Sequence, residues 1–189
     1  DALPIRQYVR AEAGWCERMV GLDPAGHFVF GLSSEPEPYI KAEAPPGAML
    51  EVGAEGQRVM TALSARIMTQ GGALLAIDYG HTRTDLGETL QAVREHRFAD
   101  PLESPGEADL TTHVDFAALG RAAKSTGCAV HGPVTPSVAA AATAARSICT
   151  RRVSPRRVAG ATHVVAVAGS PSAVGSGRVP GRYGRSPSA

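Results

Sequence analysis

Residues 71–120 read GGALLAIDYGHTRTDLGETLQAVREHRFADPLESPGEADLTTHVDFAALG, and this stretch decides the fold class. Its opening, ALLAI at 73–77, is an apolar run without alternation, as expected of a strand covered on both faces in a parallel sheet. A polar turn, DYGH at 78–81, follows, and then a long connection. A helix starts near Asp115, whose carboxylate can accept the first unpaired backbone N–H groups. Phe116, Leu119, Ala122 and Ala123 share its inner face, Gly127 ends it, and CAVH at 128–131 forms a further strand. Upstream, Val59, Met60, Leu63, Ile67 and Met68 recur at three- and four-residue spacing over residues 55–70, which makes an amphipathic helix. Gly71 and Gly72 stop that helix, because glycine accepts the left-handed conformation of a C-cap. Helix, glycine stop and buried strand make half a βαβ unit, so the class is α/β.

Working towards the start, PIRQYVR at 4–10 alternates in part and predicts a strand. The turn cluster GLDPAG at 21–26 separates apolar segments at 16–20 and 27–32, which predicts an antiparallel hairpin. Residues 33–46 hold four prolines and three glutamates and predict an exposed loop, with a short MLEV strand at 49–52 after it.

Charge divides the chain in two. Residues 1–135 hold all 18 acids and 11 of the 19 basic residues, a net charge of −7, whereas residues 136–189 hold eight arginines and no acid. Halves so different are not expected to form one domain. Cys16, Cys128 and Cys149 are odd in number and in no CxxC pair, which argues against a disulfide framework or a thiolate zinc site. No apolar run approaches the roughly 18 residues that a membrane-spanning helix needs.

Ligands of open parallel sheets gather beyond the carboxyl ends of the strands, where Asp78, Tyr79 and His81 fall. A carboxylate, a phenol and an imidazole there can bind substrate or move protons. Equally, Asp78 can cap a turn and His81 can be simply solvated. In ADLTTHVD at 108–115, capping and turn formation account for Asp109, Thr112 and Asp115 better than metal ligation, because nothing makes the groups converge. No G-x-G-x-x-G pattern, phosphate-binding loop or G-x-S-x-G elbow occurs.

Two motifs carry a resemblance. DALPIRQ at 1–7 looks like the end of an NE-[FL]-[FL]-DALP motif, and residues 71–120, with their ADLT-x-HVDF pattern, look like a later segment of the same family. The chain thus resembles, over residues 1–135, the C-terminal half of the MidA-like S-adenosylmethionine-dependent methyltransferases, relatives of a mitochondrial complex I assembly factor. The resemblance implies a Rossmann-like fold with a hairpin elaboration. It implies methyl transfer from S-adenosylmethionine to a protein arginine, possessed by a protein partner such as a respiratory complex I subunit. It places Asp1 and Pro4 near the reacting centre, and Asp78, Tyr79 and His81 on the acceptor side. Asp109 and His113 join Pro4 as candidates for lining the substrate cleft. The compartment implied is the cytoplasm of a bacterium or the mitochondrial matrix of a eukaryote.

The family's glycine-rich cofactor loop would lie upstream of Asp1. The chain therefore reads as a fragment that alone binds S-adenosylmethionine weakly or not at all. The opposing reading is a non-catalytic remnant or an interaction module.

The resemblance stops at Pro136. Residues 136–189 read as an unstructured basic tail, a plain solvated tail, or a shifted reading frame in a GC-rich gene, the last explaining the loss of every acid. Nucleic acid is not the expected partner, since Tyr183 is the one good stacking surface beside the arginines. Trypsin is expected to cut first after Arg151, Arg152 or Arg157.

Overall fold

The computed structural model describes residues 4–134 and 161–169. Eleven strands and two helices follow one another among these residues. The first sheet is antiparallel, with β1 (Arg6–Ala11), β2 (Gly14–Leu22), β3 (Phe28–Leu32) and β4 (Met49–Val52) in the order β3-β2-β1-β4. The hairpin, the MLEV strand and the exposed loop lie where the turn residues put them. At the hairpin tip the Asp23 carboxylate accepts from the backbone N–H groups of His27 (2.9 Å) and Ala25 (2.8 Å). These bonds, that of His27 foremost, hold its pKa below the ordinary value. Behind the hairpin Trp15 is buried, and its indole N–H donates to the Ala42 carbonyl at 2.8 Å, tying down the proline-rich loop.

The helix α1 (Ala54–Gln70) ends at Gly71, which has φ 75° and whose N–H donates to the Ile67 carbonyl. The second sheet has the order β10-β11-β5-β9, built from β5 (Gly72–His81), β9 (Val114–Asp115), β10 (Ala129–Val134) and β11 (Ala161–Gly169). Between β9 and β10 lies α2 (Phe116–Lys124), whose N-cap Asp115 accepts from Ala118 N–H at 2.9 Å. Both helices pack on one face of this sheet over a core of Met60, Phe116, Ala123, Cys128, Val165 and Val167. Cys128 is buried there and its thiol donates to the Ser64 carbonyl, while Cys16 is buried in the first sheet; Cys149 lies outside the described residues.

Five expectations need correction. The first strand starts two residues later than 4–10, at Arg6. The strand at 73–77 is not covered on both faces: Leu75 is 55% and Ile77 59% exposed, and its long neighbour β11 runs antiparallel to it. The DYGH segment is no turn but the end of β5, because β11 keeps its backbone paired as far as Gly80 and β9 adds a parallel partner at Gly80 and His81. The long connection contains a small sheet of β6 (Gln91–Arg94), β7 (Arg97–Ala99) and β8 (Asp109–Thr111), ordered β7-β6-β8. Positive φ at Glu95 and His96 closes its hairpin without any glycine to announce it.

The fifth correction concerns the stretch beyond 135. Residues 161–169 form β11, which sits between β5 and β10, with Val165 and Val167 fully buried. An unstructured tail is therefore wrong for these nine residues. The remainder of that stretch, including the expected tryptic sites, lies outside the described residues, as does Asp1.

A candidate acceptor cleft

Beside the C-terminal end of β5 lies a cleft of about 430 Å³. Its walls are largely apolar, with Val59, Met60 and Leu63 of α1, Ala76 of β5 and Leu119 of α2 among the lining residues. Polar groups gather at its edge: Glu51, Asp78, His81, His113, Asp115 and Arg121. They arrive from β4 (Glu51), β5 (Asp78 and His81), the stretch 113–115 that ends in β9, and α2 (Arg121).

Gly80 sets the closest approach. A Cβ there would stand 2.1 Å from the Val114 carbonyl oxygen, so only glycine lets β9 lie this near to β5. That contact puts His81 level with Asp115. The His81 ring is held by its Nδ1, which donates to the Arg83 carbonyl at 2.6 Å. A carbonyl can only accept, so Nδ1 carries a proton, and Nε2 is the ring nitrogen left to face other groups.

Asp78 accepts from the N–H of Tyr79 at 2.7 Å through Oδ1. Asp115 is engaged on both oxygens: Oδ1 caps α2, and Oδ2 accepts from the Thr84 hydroxyl at 2.5 Å. Arg121 donates to the same hydroxyl at 2.8 Å. Asp115 therefore acts as a brace between Thr84 and the start of α2. Among the described residues no group of three or more His, Cys, Asp or Glu could hold a metal ion.

Of the residues singled out from sequence, Pro4, Asp78, His81 and His113 line this one cleft. Tyr79 is not among its lining residues, and Asp109 lies in β8, paired opposite Val93 in the small sheet. Sequence reasoning passed over Glu51, Thr84 and Arg121. The one local signal was an acid inside the otherwise apolar MLEV strand, immediately before a helix.

Residues 1–134 match the family described as "Putative S-adenosyl-L-methionine-dependent methyltransferase". The chain belongs to this methyltransferase family. The zebrafish (Danio rerio) protein named protein arginine methyltransferase NDUFAF7, mitochondrial, is 38% identical over 71% of this chain and 33% of its own length. The human (Homo sapiens) protein of that name is 35% identical over 66% of this chain and 29% of its own length. Two solved structures from Burkholderia thailandensis share the fold. One has TM-score 0.65 and 26% identity, covering 89% of this chain and 52% of that one. The other, with S-adenosyl-homocysteine bound, has TM-score 0.63 and 27% identity, covering 89% and 51%. The chain thus spans about a third of the curated relatives' length and about half of the solved chains. A structural match over 89% of the chain reaches beyond the end of the family match at residue 134.

Proposed function

We propose that the cleft is the acceptor side of a methyl transfer from S-adenosylmethionine and that the acceptor is a protein arginine. The observation that carries this reading is that Asp78 and His81 line the same largely apolar cleft. Family membership and the names of the relatives support the chemistry. An arginine side chain suits this geometry. Its methylene stem matches the apolar walls, and its guanidinium prefers a carboxylate partner in a region of low polarity.

The family uses S-adenosylmethionine, which supplies an electrophilic methyl group when bound. The residues described here fit the acceptor rather than the cofactor. No G-x-G-x-x-G pattern is present in the sequence, and Glu51 and Asp115 are occupied by internal bonds. This chain's own part in catalysis is alignment. Asp78 attracts and orients the guanidinium, the walls exclude water, and Nε2 of His81 can accept the proton that the alkylated nitrogen must lose. A respiratory complex I subunit is the acceptor protein that the family resemblance implies, in the cytoplasm of a bacterium or in the mitochondrial matrix.

Two measurements test this. Calorimetry on the 189-residue chain with S-adenosylmethionine is expected to show no micromolar binding; micromolar binding would overturn the division of labour proposed here. In a fusion of the chain to the first half of a family member, Asp78→Asn is expected to lower the rate of arginine methylation by about ten- to a hundredfold, the worth of a charged hydrogen bond. Cofactor affinity and melting temperature should stay nearly unchanged. If Asp78→Asn methylates at the parent rate, Asp78 has only a local backbone role.

A further inference from the structure

Glu51 is the least expected residue of the cleft. It sits in β4, lines the cavity, and spends its carboxylate on neutral donors. Oε1 accepts from Gln7 Nε2 at 2.8 Å and from the Thr89 N–H at 3.0 Å; Oε2 accepts from the Thr89 hydroxyl at 2.5 Å. Thr89 lies 38 residues further along the chain, in the connection between β5 and β6. Its hydroxyl oxygen in turn accepts from the His113 backbone N–H at 2.8 Å.

The direction of these bonds matters. A carboxylate only accepts, so the single hydroxyl hydrogen of Thr89 must point at Glu51, and its lone pairs are turned towards His113. The series continues outwards into the first sheet. Gln7 Oε1 accepts from Arg18 at 3.1 Å, Arg18 also pairs with Glu88, and its guanidinium lies 3.5 Å from the centre of the Phe30 ring. Residues of β1, β2, β3 and β4 thereby hold the 88–89 segment, and that segment holds the start of the 113–115 stretch lining the cleft.

We propose that Glu51 is a positioning residue, and that the antiparallel sheet serves through it to set His113 and the stretch up to Asp115 against β5. Thr84 braces the Asp115 end of that stretch, and Glu51, through Thr89, braces the His113 end. The proposal rests on the reading of the cleft as an acceptor site only for what the positioning is for. The arrangement itself can be measured without methyl transfer.

The experiment is amide hydrogen exchange followed by NMR on the 189-residue protein, with Glu51→Ala, Glu51→Gln and Thr89→Val. Loss of one hydrogen bond of ordinary strength speeds local opening by about tenfold. Glu51→Ala and Thr89→Val are therefore each expected to raise exchange at the His113 amide by about that factor and to shift the His113 ring resonances. The exposed His27 ring at the hairpin tip should not respond. Glu51→Gln should largely restore protection, because its amide oxygen can still accept from Gln7 and from the Thr89 N–H.

Unchanged His113 exchange in folded Glu51→Ala overturns the proposal. So does an equal loss of protection at Val9 and Cys16, which pair within the first sheet, since Glu51 would then serve that sheet alone. Should Glu51→Ala not fold, Thr89→Val decides: it keeps the shape of the side chain, and unchanged His113 exchange in it overturns the proposal equally.

Discussion

Val165→Asp is expected to abolish the folded state at room temperature. Val165 is fully buried on β11, within the core that α1 and α2 share with the sheet. That core contains Met60, Phe116, Ala123 and Cys128 and no cation, so an aspartate there would be unpaired whether charged or protonated. Burying an unpaired polar or charged group costs several kcal/mol, and a domain of this kind has only about 5–15 kcal/mol in all. The strand is also central: β5 pairs with it along nine residues and β10 pairs with its other edge, so displacing it would separate both. Val165→Ala is the graded control, expected to lose about 2–3 kcal/mol from removed methyl groups and the space they leave. Circular dichroism during thermal unfolding reads both. A Val165→Asp protein that melts cooperatively at the parent temperature would remove β11 from the core and restore the tail reading for residues 161–169.

Gly80→Ala is the second large effect, and it is steric. The added Cβ would meet the Val114 carbonyl oxygen at 2.1 Å, its carbon at 2.9 Å and its nitrogen at 3.0 Å, all backbone atoms that cannot rotate away. Strand β9 has to move off β5, which breaks the register of Gly80 with Val114 and of His81 with Asp115. Overpacking costs about 1–3 kcal/mol, and backbone on both sides places this case near the top of that range, about 3 kcal/mol. For a chain of this size that corresponds to a melting temperature lower by roughly 6–12 °C. Gly21→Ala is the matched control, since nothing lies within 4 Å of its Cβ position and its φ is not positive. It should melt within about a degree or two of the parent. Equal melting temperatures for the two variants would contradict the close approach of β5 and β9.

Much of the fold was legible because much of it is local. The repeat at Val59, Met60, Leu63, Ile67 and Met68 marked α1, and Gly71 marked its stop. Asp115 marked the start of α2 because an N-cap uses only a side chain and the next turn of its own backbone. The GLDPAG cluster marked the hairpin, and its Asp23 does make the turn bonds that such a residue type favours. The small β6-β7-β8 sheet escaped notice because its tight turn is made by Glu95 and His96 at positive φ, with none of the Gly, Asn or Asp that usually announce such a turn.

The cleft was legible only in part, for the same reason turned round. The motif residues Pro4, Asp78, His81 and His113 converge, but what holds them is spread along the chain. Glu51 reaches Thr89 across 38 residues and Thr84 reaches Asp115 across 31. No period or spacing encodes such pairs, since they depend on which strand lies beside which.

By itself, then, the sequence determined the α/β class, both helices, the stop of α1 at Gly71, the N-cap of α2 at Asp115 and the hairpin, all written in short-range patterns of side chains, and its motifs carried the resemblance to the methyltransferase family. The tertiary structure alone decided that residues 161–169 are a core strand, since an arginine-flanked Val-Ala run becomes a strand only when β5 and β10 offer it two unpaired edges. It also decided that Gly80 must lack a side chain and that Glu51 belongs to the cleft. Both depend on how closely two backbone segments remote in sequence approach each other, and that distance exists only once the sheets have paired.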